Sequence, residues 1–269
     1  MSLDGIDADK KSLEEFYVMS SLDLIDDIST INKFGAATDC DNGVATDIWD
    51  GADGTTSTDV WVPPTIARVH DIASGSANDT SAGTGARTVE IFGLQTWGSV
   101  ETSEIITMNG TTNVATSNSY VIIHRMKVLT WGSGGVNAGI ITATAQTDST
   151  VTSAILTGNN QTQMCIYGVP SSQKLRVTEF GCEVVKSSAS TILAEGEVLI
   201  MIDPNTNVGN NNAWTNVESF ISKSDVTKWK HQYKVPKKFD GPCIVKLQVT
   251  ADTDNTTIMG YFDGVLFTP

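Results

Sequence analysis

Short apolar runs broken by turn residues recur along most of the 269 residues. "TIARVHDIA" (65–73), "RTVEIFGL" (87–94), "EIITM" (104–108), "YVIIHRMKVLTW" (120–131), "GIITATA" (139–145) and "TVTSAIL" (150–156) follow one another at short intervals. After "TGNNQT" the pattern restarts with "QMCIYGVP", "KLRVTEFGCEVVK", "TILAEGEVLIMI", "KWKHQYKV", "CIVKLQVTA" and "TIMGYFDGVLF". Strand-length runs with turns between them predict a sandwich or barrel and argue against parallel α/β. Asn109-Gly110, placed between two such runs, predicts a hairpin. Only "DKKSLEEFYVMSSLDLI", near the start, carries a helical spacing.

Charge divides the chain unevenly. The net charge is -14, and residues 1–60 hold fourteen carboxylates against Lys10, Lys11 and Lys33, so the remaining 209 residues are nearly neutral. An acidic segment with little apolar periodicity, joined to a neutral body, reads as an arm on a globular protein. The expected fold is all-β: antiparallel β-sandwich (jelly-roll-like) domains preceded by an extended acidic N-terminal arm. The expected division is an arm and connector over 1–60, one sandwich over 61–158 and a second over 159–269. Abundant Thr, Ser, Gly, Asn and Val, with few Lys, Arg or Glu, favour half-buried strands over long surface helices. No run of eighteen apolar residues occurs, and the acidic start "MSLDGIDADKK" is unlike a secretory leader.

Candidate chemistry thins out on inspection. Cys40, Cys165, Cys182 and Cys243 form no C-x-x-C pair, and Cys165 and Cys182 lie in apolar strand-like runs, so buried thiols are expected. "TDCDNGVATDIWDGADGTTSTDVW" (38–61) holds six aspartates, and Asp39, Asp41, Asp47 and Asp50 match positions 1, 3, 9 and 12 of a calcium loop. Val44 then stands where the loop needs Gly, and Gly43 where it needs an oxygen ligand. A solvated, turn-rich connector is the better reading, with Trp49 and Trp61 as anchors pinning it to a body or a neighbour. "GTGART" (83–88) lacks the third glycine of a dinucleotide fingerprint and precedes a strand. His70, His124 and His231 stand alone in strand-like runs, and the Glu195/Glu197 pair reads as surface carboxylates sooner than as a glycosidase pair. No catalytic residue, cofactor or metal ligand is assigned.

One segment stands out against the acidic background. "KSDVTKWKHQYKVPKK" (223–238) has six lysines against Asp225, and its alternation sets Lys228, Lys230 and Lys234 opposite Trp229, His231 and Tyr233. Nucleic-acid stacking needs aromatic and basic groups on one face, and here they oppose each other. The strand is either an edge guarded by lysines or a docking face for an acidic partner, such as the N-terminal arm of a neighbouring copy. Phe34, Trp49, Trp61, Lys228, Lys230 and Lys234 are the interface candidates.

"INKFGAATDCDNGVATDIWDG" (31–51), "SANDTSAGTGARTVEIFGL" (76–94), "NSYVIIHRMKVLTWGSGGVNAGIITATA" (118–145) and "NNQTQMCIYGVP" (159–170) together resemble virion structural proteins of tailed bacteriophages, common among marine ones. The resemblance covers residues 31–170. It implies a β-rich, non-enzymatic particle component made in the bacterial cytoplasm: a capsid decoration or head-fibre protein, or a tail-associated one. The expected partners are copies of itself, in a homotrimer, and major capsid or tail proteins, without nucleic acid or membrane. The alternative from another class is a tail-fibre or receptor-binding module that grips a carbohydrate.

Overall fold

The computed structural model describes residues 13–22, 24–53, 59–185, 192–207, 213–223 and 228–269. The chain is all-β, apart from α1 (Leu13–Ser21) and the short α2 (Pro204–Asn207). Its strands are β1 (Ile28–Cys40), β2 (Ala45–Asp47), β3 (Arg68–Ser74), β4 (Ala86–Leu94), β5 (Thr102–Thr107), β6 (Val114–Tyr120), β7 (Ile122–Trp131) and β8 (Ile141–Ala145). They continue as β9 (Thr150–Ile155), β10 (Ile166–Val169), β11 (Lys174–Val184), β12 (Leu193–Ile202), β13 (Thr215–Lys223), β14 (Trp229–Asp240), β15 (Cys243–Ala251) and β16 (Thr256–Phe267). These strands form small antiparallel sheets.

Two hydrophobic cores organise the sheets. The larger lies between the sheet β1-β16-β11-β14 and the sheet β10-β15-β12-β13, with Phe180, Phe262 and Ile258 from the first meeting Leu247, Val249 and Val198 from the second. The smaller lies between β6-β3-β8-β9 and β5-β4-β7, around Ile72, Ile91, Ile123, Met126 and Ile141. Alternation along β8, where Ile141, Ala143 and Ala145 are buried, is the period-2 burial expected of a half-solvated antiparallel strand. All four cysteines are free and buried, and burial pushes the thiols of Cys40, Cys182 and Cys243 up to about 12.

The acidic N-terminal arm is the main correction. β1 pairs with β16 from Ile28↔Phe267 to Cys40↔Thr256, and β2 pairs with β15. Residues 28–53 therefore belong to the same body as the C-terminal half, and the strands from β3 to β9 are inserted between β2 and β10. Nor are residues 46–50 part of a solvated connector. Thr46, Asp47, Ile48, Trp49 and Asp50 are buried, and the ladder continues through Ile48, whose N–H donates to Leu247 O at 3.0 Å while its carbonyl accepts from Cys165 N–H at 2.8 Å. Concentrated aspartate made the segment look wet, yet its backbone completes a sheet and its tryptophans fill the core.

What allows an aspartate there is a cation from the far end of the chain. Asp47 and Lys246 are both fully buried, and Lys246 Nζ donates to Asp47 Oδ2 at 2.6 Å. The same carboxylate accepts from Trp61 N–H at 2.7 Å and from Gln248 Nε2 at 2.8 Å. Trp214 covers the ammonium, its ring centroid 4.2 Å from Nζ. Burial pushes the Asp47 carboxyl up and the Lys246 ammonium down, each opposed by the other's charge.

A second carboxylate organises the inserted body. Asp79, fully buried, accepts from Ala86 N–H (2.6 Å) and Ala138 N–H (2.8 Å) on one oxygen, and from Ser74 Oγ (2.5 Å) and Gly139 N–H (2.9 Å) on the other. A Cβ on Gly85 would stand 2.0 Å from that carboxylate, so the glycine of "GTGART" makes room for Asp79. Asn109-Gly110 does turn, with Gly110 at φ +62°, but β5 and β6 lie in different sheets, so the turn crosses between sheets and closes no hairpin.

Removing one member of a buried ion pair strands the other. Lys246→Met should lower the unfolding free energy by about 3–5 kcal/mol in urea titration. Adding Asp47→Asn should recover part of that loss, because the amide oxygen still accepts from Trp61 while the uncompensated charge is gone.

Candidate functional site

β1 lies at one edge of its sheet, and its alternation presents Thr30, Asn32 and Phe34 outward. The register carries that face across the sheet: Phe34 is opposite Tyr261, which is opposite Gly181, which is opposite Lys230. One row further, Asn32, Asp263, Glu179 and Gln232 line up in the same way. Tyr261 lies across Gly181, where a Cβ would stand 1.9 Å from its ring, so only glycine lets the ring lie flat there. Its hydroxyl donates to Glu179, and Lys228 Nζ stands 3.7 Å from its ring centroid. Asn32 Nδ2 donates to Asp263. Burial and the Glu179 carboxylate push the Tyr261 phenol above its usual range. Phe34 (39% exposed), Met259 (42%), Glu183 and Lys228 complete a depression of about 390 Å³.

A second hollow, of about 410 Å³, adjoins the first, because Asn32 and Phe34 line both. It lies at the seam between the two bodies, with Thr30–Phe34 of β1 and Tyr167 of β10 on one side and Glu101, His124 and Arg125 of the inserted body on the other. Lys33 Nζ donates to the His124 carbonyl at 2.6 Å. The His124 ring packs on Tyr167 with centroids 4.6 Å apart, and its Nε2 is hydrogen-bonded to Glu101. Burial, opposed by Glu101, moves the Lys33 ammonium down to about 8, and Arg125 nearby adds to the fall. His124 is likewise held below its ordinary value, by burial first and then by Lys33 and Arg125 against the pull of Glu101. Burial works to raise the Glu101 carboxyl, yet His124, Lys33 and Arg125 carry it below its ordinary value.

The six interface candidates separate. Phe34, Lys228 and Lys230 come together on the outer sheet face, Lys230 lying 3.7 Å from Glu179. Trp49 and Trp61 are each 1% exposed, so neither meets a neighbouring copy; Trp61 Nε1 instead donates to Thr152 O at 2.9 Å across the seam. Lys234 is exposed but lies in an irregular stretch of β14, where the register jumps between Val177↔Lys237 and Glu179↔Gln232. The opposite face of β14 is occupied within the chain, with Trp229 stacked on Phe220 at 4.2 Å, His231 stacked on Tyr233 at 4.4 Å, and Tyr233 and His231 both bonded to Glu218. β14 is the far edge of the sheet, and Lys230 and Lys234 lie on that edge strand.

Of the carboxylates considered for chemistry, Asp47 and Asp50 are engaged internally, Asp50 Oδ2 accepting from Gln163 N–H at 2.9 Å. Glu197 on β12 accepts from Asn216 Nδ2 at 2.7 Å. Among the described residues no three His, Cys, Asp or Glu groups stand close enough to hold a metal ion. Sequence reasoning missed Tyr261, Met259 and Asp263, although their i, i+2, i+4 spacing marks one strand face. It also missed the grouping of Lys33, Glu101, His124 and Tyr167, which no local spacing signals.

No family model matches the chain, and a search of curated proteins finds no match.

The seam should weaken in acid. A histidine held below its ordinary value stays neutral while the unfolded chain takes up a proton near pH 6.5, so stability is lost as pH falls below that point. His70, lowered to about 4 by burial, acts in the same direction. Urea titrations at pH 7.5 and 5.0 should show wild type losing more stability on acidification than His124→Gln does, and an equal loss would show that His124 does not titrate in this way.

Proposed function

We propose that the chain is a non-enzymatic structural component of a phage particle, a capsid decoration or head-fibre protein that works as a homotrimer. The observation that carries this reading is the strand order. Leaving out β2 and the inserted strands, the larger body uses eight strands in the orders first-last-third-sixth and second-seventh-fourth-fifth. We read this as a jelly roll, an architecture used by viral capsid and lectin domains, with a second β-body inserted after its first strand. The sequence resemblance to virion proteins of tailed phages points the same way. Fold alone does not fix function, so the weight rests on order and resemblance together.

In this reading the protein acts by burying β-surface against copies of itself and against a capsid or tail protein. Closed three-fold symmetry gives each subunit the same contacts and leaves no open end for further growth. The lysine edge, with Lys228, Lys230 and Lys234, takes an acidic neighbour; residues 1–27 supply eight carboxylates against Lys10 and Lys11 and are the source of that charge within the chain. Such exposed pairs are worth at most ~1 kcal/mol each and are screened over about 8 Å at physiological salt. Charge therefore sets the register and speed of docking, while apolar burial holds the complex.

Light scattering on the purified 28.7 kDa chain should give three times that mass at micromolar concentration, and a monomer would remove the trimer. In purified particles the copy number and position of the matching density should place it on the capsid surface. Reversing Lys228, Lys230 and Lys234 to Glu should slow assembly at low salt and leave it nearly unchanged near molar salt. Equal slowing at both would detach assembly from this edge.

A further inference from the structure

The two adjoining hollows differ in chemistry in a way that specifies a ligand. The sheet-face hollow offers exposed apolar surface from Phe34 and Met259, the amide of Asn32, and the carboxylates of Asp263 and Glu183. Aromatic surface beside paired amide and carboxylate groups suits a sugar ring, whose C–H face packs on apolar side chains while its hydroxyls both donate and accept. The seam hollow offers cations with unmet donors. Lys33 Nζ makes one hydrogen bond, to His124 O, and can make two more. Arg125 stands over Phe92, 5.4 Å from the ring centroid, with no carboxylate paired to its guanidinium among the described residues. Two like charges are held near one another at the mouth of a partly apolar cleft beside Glu101, whose single carboxylate balances one of them, and a ligand anion would relieve the other.

Each hollow, at about 390 and 410 Å³, sits at the small end of the roughly 300–1,000 Å³ typical of small-molecule sites. Asn32 and Phe34 form the ridge they share, so one elongated ligand spans both. Fixed charge within the groove nearly cancels, with Lys33, Arg125 and Lys228 against Glu101, Glu183 and Asp263. That balance disfavours a nucleic acid strand, which wants a uniformly basic track. The hydroxyls of an uncharged polymer would accept from Lys33 and Arg125 but would leave the second positive charge of the seam hollow unbalanced. We propose that the groove along β1 binds an acidic oligosaccharide, one sugar ring resting on Phe34 and a carboxylate held between Lys33 and Arg125.

This site goes beyond the particle reading and does not rest on it. The full chain would be applied to an array carrying uronate-bearing, sialate-bearing and neutral oligosaccharides, and the best acidic binder titrated by calorimetry. Saturable binding to acidic glycans is expected, about tenfold weaker with Phe34→Ala, the size of one 1.4 kcal/mol contact. Arg125→Gln should bring the acidic glycan down to the level of its neutral counterpart. Both side chains are solvent-exposed, so both variants should melt within a few degrees of wild type, and a variant that does not would be replaced by Phe34→Leu or Arg125→Lys at the same position. Absence of binding to every acidic glycan, binding indifferent to Phe34→Ala, or equal binding of acidic and neutral glycans would each overturn the proposal. Copy number in the particle is a separate measurement, so failure here leaves the structural reading where it stood.

Discussion

The Asp47–Lys246 pair ties together parts of the chain that would otherwise have no reason to meet. Asp47 sits on a three-residue strand too short to hold itself, and Lys246 lies in the middle of β15 with both neighbouring strands already formed. Their charges attract strongly only because water is excluded, and water is excluded because Trp61 and Trp214 close over them. A pair of this kind adds little net stability compared with apolar packing, but it makes any other register of β2 against β15 expensive. Specificity is the gain. The strap cannot slide along β15 without burying a bare carboxylate.

That fixed strap in turn sets where the inserted body leaves and rejoins. The chain departs after Trp61, whose indole N–H bonds to Thr152 in the inserted body, and returns through Gln163 and Cys165, whose N–H groups bond to Asp50 and Ile48. Exit and re-entry are thus held within hydrogen-bond reach of one short segment. Lys33, reaching from β1 to the His124 carbonyl, and the Tyr167 ring against His124 add contacts further along the seam. The two bodies are thus joined at both chain crossings and along a packed seam, with the groove between them.

Much of the strand pattern was legible in the sequence because each strand announces itself locally. Buried cysteines, the amphipathic lysine strand and the turn at Asn109-Gly110 all follow from spacing within a few residues. The arm was misread for the opposite reason. Six aspartates between residues 38 and 61 describe a wet segment unless one knows that a lysine 199 positions away neutralises Asp47. Partnership at that range leaves no periodic trace. The groove was half legible: "TIMGYFDGVLF" shows one face with Met259, Tyr261 and Asp263, but the pairing of β16 with β1 that sets Phe34 beside them is a property of topology.

The edges of the sheets decide how such a body meets others. In the sheet β1-β16-β11-β14, one edge strand, β1, has the inserted body beside it along the seam, through Lys33 and the cleft of Glu101, His124 and Arg125. The other edge strand, β14, carries Lys230 outward with Lys228 just before it, has Lys234 in an irregular stretch that breaks the ladder, and turns its aromatics inward onto β13. Neither edge offers a flat, uncharged row of donors and acceptors, the feature that invites indiscriminate strand addition. Contacts with other molecules are thereby directed to side-chain surfaces, where charge and shape select the partner, and the broad face bearing Phe34, Met259 and Tyr261 is the surface of this sheet best equipped to do so.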